Sequence, residues 1–384
     1  MALKRHPVNC ILPPHMVDRI VENGTDAQRE RAQSTQQMSS QFREQRVALA
    51  AQTAAPQIPV APLTPAKNRI VYTANNTSNL PGQIVRQEGG APTNDPAADE
   101  AYDGAGATFD LYWDVYQRNS IDGNGMRLDS TVHYQQGYDN AFWDGQQMVY
   151  GDGDEDLPVS QRLFNRFTIA LDVIGHELTH GVTQHTGNLV YQNQPGALNE
   201  SFSDVFGSLV KQRSLSQSAQ AADWIIGEGL FTANVNGVGI RSMKAPGTAY
   251  NDPVLGKDPQ PAHMQNYVNT TSDNGGVHIN SGIPNHAFYL IALELGGNAW
   301  DKAGQIWYVT LRDKIQSTTN FQGMADLTYG VAGDLFGANS LEQQAVSKGW
   351  TAVGLAPSGG TTPPTPPPTN TGCLSSLLGI FRVF

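Results

Sequence analysis

Two histidines, His176 and His180, occur four residues apart in the segment HELTH. The preceding run FTIALDVIG is apolar at helical spacing, which predicts that the pair lies on a helix. Side chains four apart on a helix share one face about 6 Å from each other, so both imidazoles can bind one zinc ion. Glu177 lies roughly a quarter-turn away and can act as a general base toward a zinc-bound water. The pattern predicts hydrolytic chemistry, and a chance match of five residues is the alternative.

A catalytic zinc ion takes three protein ligands and keeps one position open, so a third ligand is needed. Glu200 follows His180 by 20 residues in NESFSD and is the candidate. Asp204, one helical turn later, could orient a ligand imidazole from behind. Asn199 and Glu200, taken alone, could instead cap a helix. Because the histidine pair lies upstream, we predict a ligand role for Glu200.

A third segment, DNGGVH, places a flexible glycine pair between Asp273 and His278. A neighbouring carboxylate can raise the pKa of an imidazole. A protonated His278 could then donate a hydrogen bond to the oxyanion that forms when water attacks a carbonyl. A surface loop with an ordinary histidine is the alternative for this segment taken alone.

The elements that must position these residues divide the body of the chain in two. Short runs such as IVYTA and MRLDSTVHY, set between Gly, Asn and Asp turns, predict a β-rich region over 68–156, with one helix at 102–120. From 157 to 356 the pattern predicts a mainly helical domain. Its helical candidates are 160–186, 197–213, 281–296, 299–315 and 321–337.

The terminal segments differ from this body in composition. Within the N-terminal segment 1–50, residues 17–50 predict one or two helices that are too weakly apolar for a core of their own. Residues 51–67 hold four prolines and are typical of an exposed linker, and 357–384 combine a Pro/Thr-rich linker with an apolar tail. The tail could be an anchor, a partner motif or an accident of the reading frame. The two cysteines, Cys10 and Cys373, lie in these segments, so no disulfide can form within the body.

The chain has 384 residues and a formal net charge of −11. This charge argues against a nucleic-acid partner, and we expect a monomer that acts on protein or peptide substrates. No stretch approaches the ~20 apolar residues that span a bilayer. Prolines interrupt the first 15 residues, so no ordinary secretion signal is visible. A cytoplasmic location and export by a non-standard route are the two alternatives.

The motifs HELTH, NESFSD and DNGGVHINSG, in this order and spacing, resemble those of the thermolysin family of zinc endopeptidases. Residues 137–154 also resemble the family's substrate-binding edge strand, and 188–207 its zinc-ligand region. Together these similarities cover most of 68–356. The resemblance implies an α+β fold, with a β-rich N-terminal domain, a mainly α-helical C-terminal domain and a zinc cleft between them.

The resemblance implies a role for each matching residue. The zinc ligands are His176, His180 and Glu200. The groups that act on water and the substrate carbonyl are Glu177 as base, Tyr191 and His278 as the oxyanion-stabilising pair, and Asp273 as the partner of that histidine. Zinc polarises the carbonyl and its water, and Glu177 passes the proton of that water to the leaving amine.

The resemblance also implies how a substrate is held. Asn140 and Ala141 match groups that bind the substrate backbone like an added strand, and Arg241 matches an arginine that binds a substrate carbonyl. The main specificity pocket is lined by Phe164, Phe167, Val173, Ile226, Leu230 and Ile240. Such an apolar pocket favours bulky apolar side chains just after the cleaved bond. Phe167 is larger than the aliphatic residue often found there, which predicts a narrower pocket.

One departure from the family concerns calcium. Three carboxylates of its buried calcium site, Asp172, Asp223 and Glu228, remain at matching positions, whereas Lys211 stands where another carboxylate would be. A lysine ammonium among carboxylates can replace the charge of a cation, so we predict that this calcium site is lost. The segment GDGDED at 151–156 resembles a calcium loop, but a solvated acidic turn is the favoured interpretation.

The segment CILPPHMVDRI resembles the short precursor segments of protealysin-like members, with a Pro-Pro-x-hydrophobic motif at Pro13, Pro14 and Met16. The resemblance implies a propeptide that lies near the cleft, inhibits the enzyme and is removed by a cut within 47–67. Cys10 could reach the zinc as a thiolate, although a simple thiol is the favoured interpretation.

Two other functions compete with a zinc endopeptidase. An aminopeptidase of the same zinc class would need acidic groups that hold a free α-amine, and no second motif of that kind lies near the zinc helix. A catalytically silent binding protein could keep the fold and use the apolar tail for interaction. The intact Glu177, Tyr191 and His278 argue against this second alternative.

Overall fold

The structure is a computed structural model, and it describes residues 9–50 and 65–358, without the side chains of 40–50. The predictions for most of the linker at 51–67, for the apolar tail and for Cys373 therefore lie outside the described residues. Within the described ranges, none of the helices is both long enough and apolar enough to cross a membrane.

The N-terminal half is built on a six-stranded sheet. Its strands are β1 Asn9–Cys10, β2 Arg69–Thr73, β3 Gln83–Gln87, β4 Leu128–Val132, β5 Ala141–Trp143 and β6 Met148–Tyr150. They lie side by side in the order β1-β5-β6-β4-β2-β3. The central strands β2, β4 and β6 are parallel, and the other pairings are antiparallel. The predicted strands around IVYTA and MRLDSTVHY are β2 and β4, both rich in the β-branched residues that pack well in sheets.

A long helix, α3 Pro96–Asp110, packs against this sheet and continues as a π-helical turn over Leu111–Val115. The helix predicted at 102–120 therefore begins earlier and ends earlier. Its start is fixed by Asp95, whose carboxylate accepts hydrogen bonds from the backbone N–H groups of Ala97 and Ala98 at 3.1 and 3.5 Å. Proline at the first helical position reinforces that start.

The C-terminal half is mainly helical. Its helices are α4 Leu171–Gln184, α5 Asn193–Ser214, α6 Asp273–Asn280, α7 Gly282–Leu295, α8 Lys302–Val309, α9 Phe321–Phe336 and α10 Leu341–Ala352. Two short hairpins, β7 Ile225–Ile226 with β8 Arg241–Ser242 and β9 Asn251–Asp252 with β10 Gly256–Lys257, lie between α5 and α6. The predicted α+β arrangement is therefore observed, and its two halves share one continuous apolar core.

The helix predicted at 160–186 begins only at Leu171. The preceding residues form 3-10 turns at Val159–Gln161 and Phe167–Ile169 instead. The buried Asp154 accepts hydrogen bonds from the backbone N–H groups of Leu163 and Phe164 at 2.8 and 3.0 Å, which holds this stretch in a non-helical form. The interpretation of 151–156 as a solvated acidic turn was accordingly wrong for Asp154, which is 1% exposed.

Helices α4 and α5 approach each other closely through two glycines. A Cβ atom on Gly175 would lie 3.0 Å from the Cα of Gly207, and one on Gly207 would lie 2.4 Å from the backbone oxygen of Asp172. No larger residue fits at this crossing without moving the backbone. The close packing brings the histidines of α4 toward the carboxylates of α5.

Residues 9–50 add β1 and two helices, α1 Pro14–Asn23 and α2 Asp26–Ala50, as a hairpin laid on the body of the chain. The apolar face of α1, formed by Met16, Val17 and Ile20, is buried in the same core cluster as the body. Burying side chains of this size stabilises a contact by ~1.5–3 kcal/mol each. The hairpin is therefore packed onto the body rather than folded on a core of its own, as its weak apolar pattern predicted.

Candidate metal centre and active site

The three predicted metal ligands converge at the crossing of α4 and α5. The Nε2 atoms of His176 and His180 lie 3.0 Å apart, and each is 3.5 Å from a carboxylate oxygen of Glu200. All three side chains are at most 1% exposed. Among the described residues 9–50 and 65–358, these three side chains form a cluster whose ligand atoms lie close enough together to hold a metal ion.

The outer nitrogens of both imidazoles are held by hydrogen bonds to α5. The Nδ1 of His176 lies 2.8 Å from Asp204 Oδ1, and the Nδ1 of His180 lies 2.9 Å from Asn199 Oδ1 and 3.0 Å from Ser203 Oγ. Because the carboxylate and amide oxygens are acceptors, each Nδ1 carries the proton. The Nε2 lone pairs of the two rings therefore point toward the same space.

Zinc fits this donor set. The Nε2 atoms of the two imidazoles lie 3.0 Å apart, so their lone pairs repel each other. The buried Oε2 of Glu200 has no hydrogen-bond partner. A cation among the three groups would satisfy all of them, and two imidazoles with one carboxylate are a catalytic zinc set. The hydrogen bonds at Nδ1 fix the ring orientations that such binding requires.

Asp204 is itself held by two further side chains. Arg241 donates from Nε and Nη2 to its two carboxylate oxygens at 2.8 Å each, and Asn285 donates to Oδ2 at 2.8 Å. Burial alone would raise the pKa of Asp204, but the charge of Arg241 and the bond to His176 lower it below its usual range. Asp204 is thus an ionised carboxylate behind a metal-binding imidazole.

Glu177 points to the strand side of the same centre. Its Oε2 accepts a hydrogen bond from the backbone N–H of Trp143, on β5, at 3.0 Å, and the side chain is fully buried. Glu177, the residue after His176 on α4, therefore places its carboxylate between the metal-binding side chains and β5. This is the position that a base acting on a water at the metal requires.

His278 and Tyr191 lie together on the other side of the centre. Their Nε2 and hydroxyl oxygen are 3.3 Å apart, and the tyrosine hydroxyl also donates to Glu200. Asp273 accepts from the Nδ1 of His278 at 2.6 Å and from its backbone N–H at 2.9 Å. Burial alone would lower the pKa of His278, but Asp273 and Glu200 raise it to about 9.

The turn that carries His278 depends on its glycines. Asp273, Asn274, Gly275 and Gly276 all adopt left-handed backbone angles, with φ between 50° and 88°. Such a run is unfavourable for residues with a Cβ atom, and glycine relieves half of it. A Cβ atom on Gly275 would also lie 2.1 Å from Asn193 Oδ1. This tight turn at the start of α6 brings His278 beside its acidic partner, Asp273.

The N-terminal strand runs through this centre. β1 pairs with β5 in antiparallel register, with Asn9 opposite Trp143 and Cys10 opposite Phe142. The backbone N–H of Ile11 donates to the carbonyl of Ala141 at 3.2 Å.

Three side-chain contacts complete this binding. The backbone N–H of Leu12 donates to Asn140 Oδ1 at 3.0 Å. Arg241 Nη1 donates to the carbonyl of Ile11 at 3.2 Å, and His278 Nε2 donates to the carbonyl of Cys10 at 3.0 Å. The predicted backbone-binding groups therefore hold residues 10–12 of the chain itself.

The six predicted pocket residues are at most 1% exposed and belong to one apolar cluster together with Ile11. They are Phe164, Phe167, Val173, Ile226, Leu230 and Ile240. The rings of Phe164 and Phe167 have centroids 5.9 Å apart. The side chain that follows the Cys10 carbonyl, that of Ile11, is fully buried in the same cluster.

Lys211 lies among the three predicted carboxylates. Its Nζ is 2.8 Å from Asp223, 2.9 Å from Glu228 and 3.4 Å from Asp172. Burial alone would lower the pKa of Lys211, but the three carboxylates raise it above its usual value. An internal cation therefore occupies the centre of this group.

Two residues that support the metal centre were missed from the sequence. Ser203 contacts His180, and Asn285 donates to Asp204 from α7. The sequence did contain a signal for Asn285, because this residue interrupts the apolar helical run GIPNHAFYLIAL. In the structure Asn285 is fully buried. A polar residue in such a run needs a hydrogen-bond partner inside the protein.

Comparisons with known proteins agree with this geometry. Two family models match, the thermolysin metallopeptidase catalytic domain over residues 28–184 and its alpha-helical domain over 187–355. An extracellular metalloprotease of Pectobacterium carotovorum subsp. carotovorum is 48% identical over 354 residues, which cover 92% of this chain and 98% of that protein. Protease PrtS of Photorhabdus sp. (strain Az29) is 51% identical over 75% of this chain and 76% of its own length.

A solved structure is similar over nearly the whole chain. It is the precursor of protealysin, a metalloproteinase from Serratia proteamaculans, with a TM-score of 0.80 and 49% identity over 91% of this chain and 100% of that chain. Sequence, fold and metal-binding geometry thus agree. The chain belongs to the thermolysin family of zinc metalloendopeptidases.

Proposed function

We propose that this enzyme is made as a self-processing precursor and that it cleaves peptide bonds on the amino side of bulky apolar residues. The observation that carries the proposal is the N-terminal segment 9–12, in which β1 pairs with β5 and residues 11 and 12 continue along Ala141 and Asn140 beside the metal centre. Strand addition is a common way for a protein to bind an extended peptide. The N-terminal segment thus marks the path of a substrate.

The register of this strand points to the position of the cleaved bond. His278 contacts the carbonyl of Cys10, and Arg241 contacts the next carbonyl, that of Ile11. An oxyanion-stabilising donor belongs at the carbonyl under attack. The peptide bond between Cys10 and Ile11 therefore corresponds to the scissile bond of a substrate. Ile11, an apolar residue that is fully buried, corresponds to the residue that follows it.

We assign the chemical roles as follows. When bound by His176, His180 and Glu200, zinc supplies a Lewis acid for the water and the carbonyl. Glu177 accepts a proton from the attacking water and returns it to the leaving amine. His278 and Tyr191 donate hydrogen bonds to the carbonyl oxygen as it gains negative charge.

Three neighbouring residues position these groups. Asp273 orients His278 through its Nδ1 and backbone N–H, which directs Nε2 at the carbonyl. Asp204 and Asn199 keep the two ligand imidazoles in the tautomer that leaves Nε2 free to bind a metal. Each assigned role thus corresponds to a contact around one centre.

The same strand supports an inhibitory role for the N-terminal segment. Residues 10–12 use the backbone-binding groups Asn140, Ala141 and Arg241, so no substrate could bind there at the same time. The buried face of α1 and the hydrogen bonds from Gln28 and Arg31 of α2 to the body hold the strand in place. We therefore assign 1–50 as propeptide and 51–67 as the stretch where it is released.

Three further assignments complete the proposal. The peptidase itself comprises a β-rich domain over 68–156 and a helical domain over 157–356, followed by the linker and tail at 357–384. Secretion is supported by relatives that are named extracellular metalloproteases. Calcium is not needed at the Lys211 group, because its ammonium already contacts all three carboxylates.

Mass spectrometry of the purified full-length chain with added zinc tests the proposal. The wild type is compared over time with Glu177→Ala and with the control Glu294→Gln, whose carboxylate lies on the surface beside Lys348. We expect the wild type and the control to release an N-terminal piece that ends within 47–67. They should then cleave added peptides before Leu or Phe, while the Glu177 variant stays whole.

The competing outcomes separate the alternatives. If wild type and Glu177→Ala both remain intact and inert, a catalytically silent binding protein replaces the proposed enzyme. If single residues are removed from peptide N-termini, the enzyme is an aminopeptidase. If peptides are cut internally but not before apolar residues, the pocket assignment is wrong.

A further inference from the structure

An acidic pocket beside the cleft binds an arginine of the N-terminal hairpin. We define the acidic pocket by Gly137, Asp139, Gly153, Asp154 and Asp156. The guanidinium of the hairpin residue Arg31 donates to Asp156 Oδ1 at 2.6 Å and to the carbonyl of Gly153 at 3.2 Å, and it lies 3.7 Å from Asp154 Oδ1. A Cβ atom on Gly137 would lie 3.0 Å from the guanidinium carbon, so the glycine leaves room for the group.

Two carboxylates at the base of the acidic pocket are buried. Asp139 is 5% exposed and Asp154 is 1% exposed. The Oδ1 atom of each has no hydrogen-bond partner, whereas Oδ2 of Asp154 accepts from two backbone N–H groups. Burial raises the pKa of both residues. Buried carboxylate oxygens without partners are unfavourable, so the acidic pocket favours a cationic donor group.

The acidic pocket continues the path on which β1 lies. Asp139 directly precedes Asn140, which binds the backbone of Leu12. Because β1 is antiparallel to β5, an extended chain that continues past Leu12 runs toward Asp139 and then Gly137. At ~3.3 Å per residue, the third to fifth residues after the cleaved bond would pass the acidic pocket.

We propose that, after the N-terminal segment is released, the acidic pocket binds an arginine side chain of the substrate, at the third to fifth position after the cleaved bond. This inference rests on the proposed endopeptidase function and adds a second specificity site to it. Arg31 shows the chemistry that the acidic pocket accepts, a planar guanidinium that donates to a carboxylate and a carbonyl together.

Paired peptides test this inference on the full-length chain after incubation with zinc has released its N-terminal segment. The peptides share a Leu after the cleaved bond and differ at the fourth position after it, which is arginine in one and its neutral isostere citrulline in the other. We expect kcat/KM to be about tenfold higher for the arginine peptide, mainly through KM, since a hydrogen-bonded charge typically contributes this much. Asp156→Asn and Asp139→Asn should reduce the preference to near one.

The citrulline peptide is the control for folding and catalysis, because its kcat/KM should be unchanged in both variants. Equal kcat/KM for the two peptides in the wild type would overturn the inference, as would a preference that survives in both variants. Fluorescence anisotropy with the same labelled peptides measures binding alone. If neither peptide is hydrolysed by enzyme whose N-terminal segment has been released, as judged by mass spectrometry, the proposed peptide specificity fails. Anisotropy with the same released enzyme still shows whether the arginine peptide binds more tightly, which decides the question of the acidic pocket.

Discussion

Two clusters of polar side chains that include acceptor groups lie about α5, and they are neutralised in different ways. At one end of the helix, Glu200 meets two imidazoles whose Nε2 lone pairs point into a shared space. Toward the other end, Lys211 places its ammonium among Asp172, Asp223 and Glu228. The three ligand side chains of the first group include no cation, whereas the second group contains the ammonium of Lys211.

This difference shows how a metal-dependent centre can be distinguished from a self-contained one. Each group contains a buried carboxylate, Glu200 in the first and Asp172 in the second, and a buried carboxylate needs positive charge nearby. The metal centre fixes its imidazoles from behind through Asp204 and Asn199 and presents only acceptors inward. The Lys211 group presents a donor inward. We expect the first to depend on added metal and the second to be indifferent to it.

The largest expected effect follows from removing a metal ligand. In His180→Ala, two ligands remain, so zinc binding weakens and peptide cleavage falls by about a thousandfold or more, as expected for losing several kcal/mol of charge stabilisation. Cleavage of an internally quenched peptide and the zinc content of the purified chain measure the two losses. The control His263→Asn changes a histidine that only accepts from the backbone N–H of Gln265. A His180→Ala enzyme with full activity and full zinc content would contradict the assignment.

The second effect follows from removing the internal cation. In Lys211→Met, Asp172 keeps its burial but loses its cationic partner, so the free energy of unfolding should fall by ~3–5 kcal/mol. The control Lys348→Met breaks an exposed pair with Glu294, for which a change of ~0–1 kcal/mol is expected. Urea unfolding of each variant measures both values.

Adding or chelating calcium tests the Lys211 group without a mutation. Because Lys211 already satisfies its carboxylates, the unfolding midpoint of the wild type should not change when calcium is added or chelated. A clear rise in that midpoint with calcium would mean that the ammonium is displaced, and it would contradict the account of this group.

The smallest expected effect of a substitution concerns a second cation held between carboxylates, one that is partly buried and can titrate. His133 bridges Asp152 and Asp95, with nitrogen–oxygen distances of 2.8 Å on each side, and hydrogen bonds to these carboxylates raise its pKa from 6.5 to about 9. A raised pKa in the folded state means that this stabilisation is complete below pH 6.5 and is lost as pH rises through about 9. We expect the loss to be roughly 1–3 kcal/mol, the range for hydrogen bonds to charged groups.

Unfolding free energies of wild type and His133→Gln between pH 6 and pH 10 check this expectation. The difference between the two proteins should be largest at the acidic end and should shrink toward alkaline pH. A difference that stays constant across the range would mean that the charge of His133 does not contribute. Lys211 should show no such titration, because its pKa is raised well above this range.

The sequence predicted the metal centre better than the elements around the cleft. His176, His180 and Glu200 could be placed because helical periodicity is a local property of α4 and α5. The strand β1 could not be placed, since two residues show no alternation and its partner β5 lies more than a hundred residues away. The late start of α4 was also missed, because it depends on hydrogen bonds from 163 and 164 to the buried Asp154.

Other misses had signals that could have been used. Helix α10 begins after Ser340, whose side chain accepts from the backbone N–H of Gln343, and a serine before an acidic first turn is a typical helix start. By contrast, nothing local indicates that Arg31 contacts Asp156. Such contacts depend on how the N-terminal hairpin packs on the body, and helical periodicity in α2 does not determine that.

Metal analysis of the purified full-length chain tests the central comparison most directly. The protein is dialysed against zinc and calcium together, freed of unbound ions, and measured for both metals by atomic emission. The account predicts one zinc ion per chain and no calcium held at the Lys211 group, with zinc lost in His180→Ala and retained in Lys211→Met. The account would be contradicted if the wild type held one calcium ion per chain and Lys211→Met changed that content. It would also be contradicted if the purified chain held no zinc.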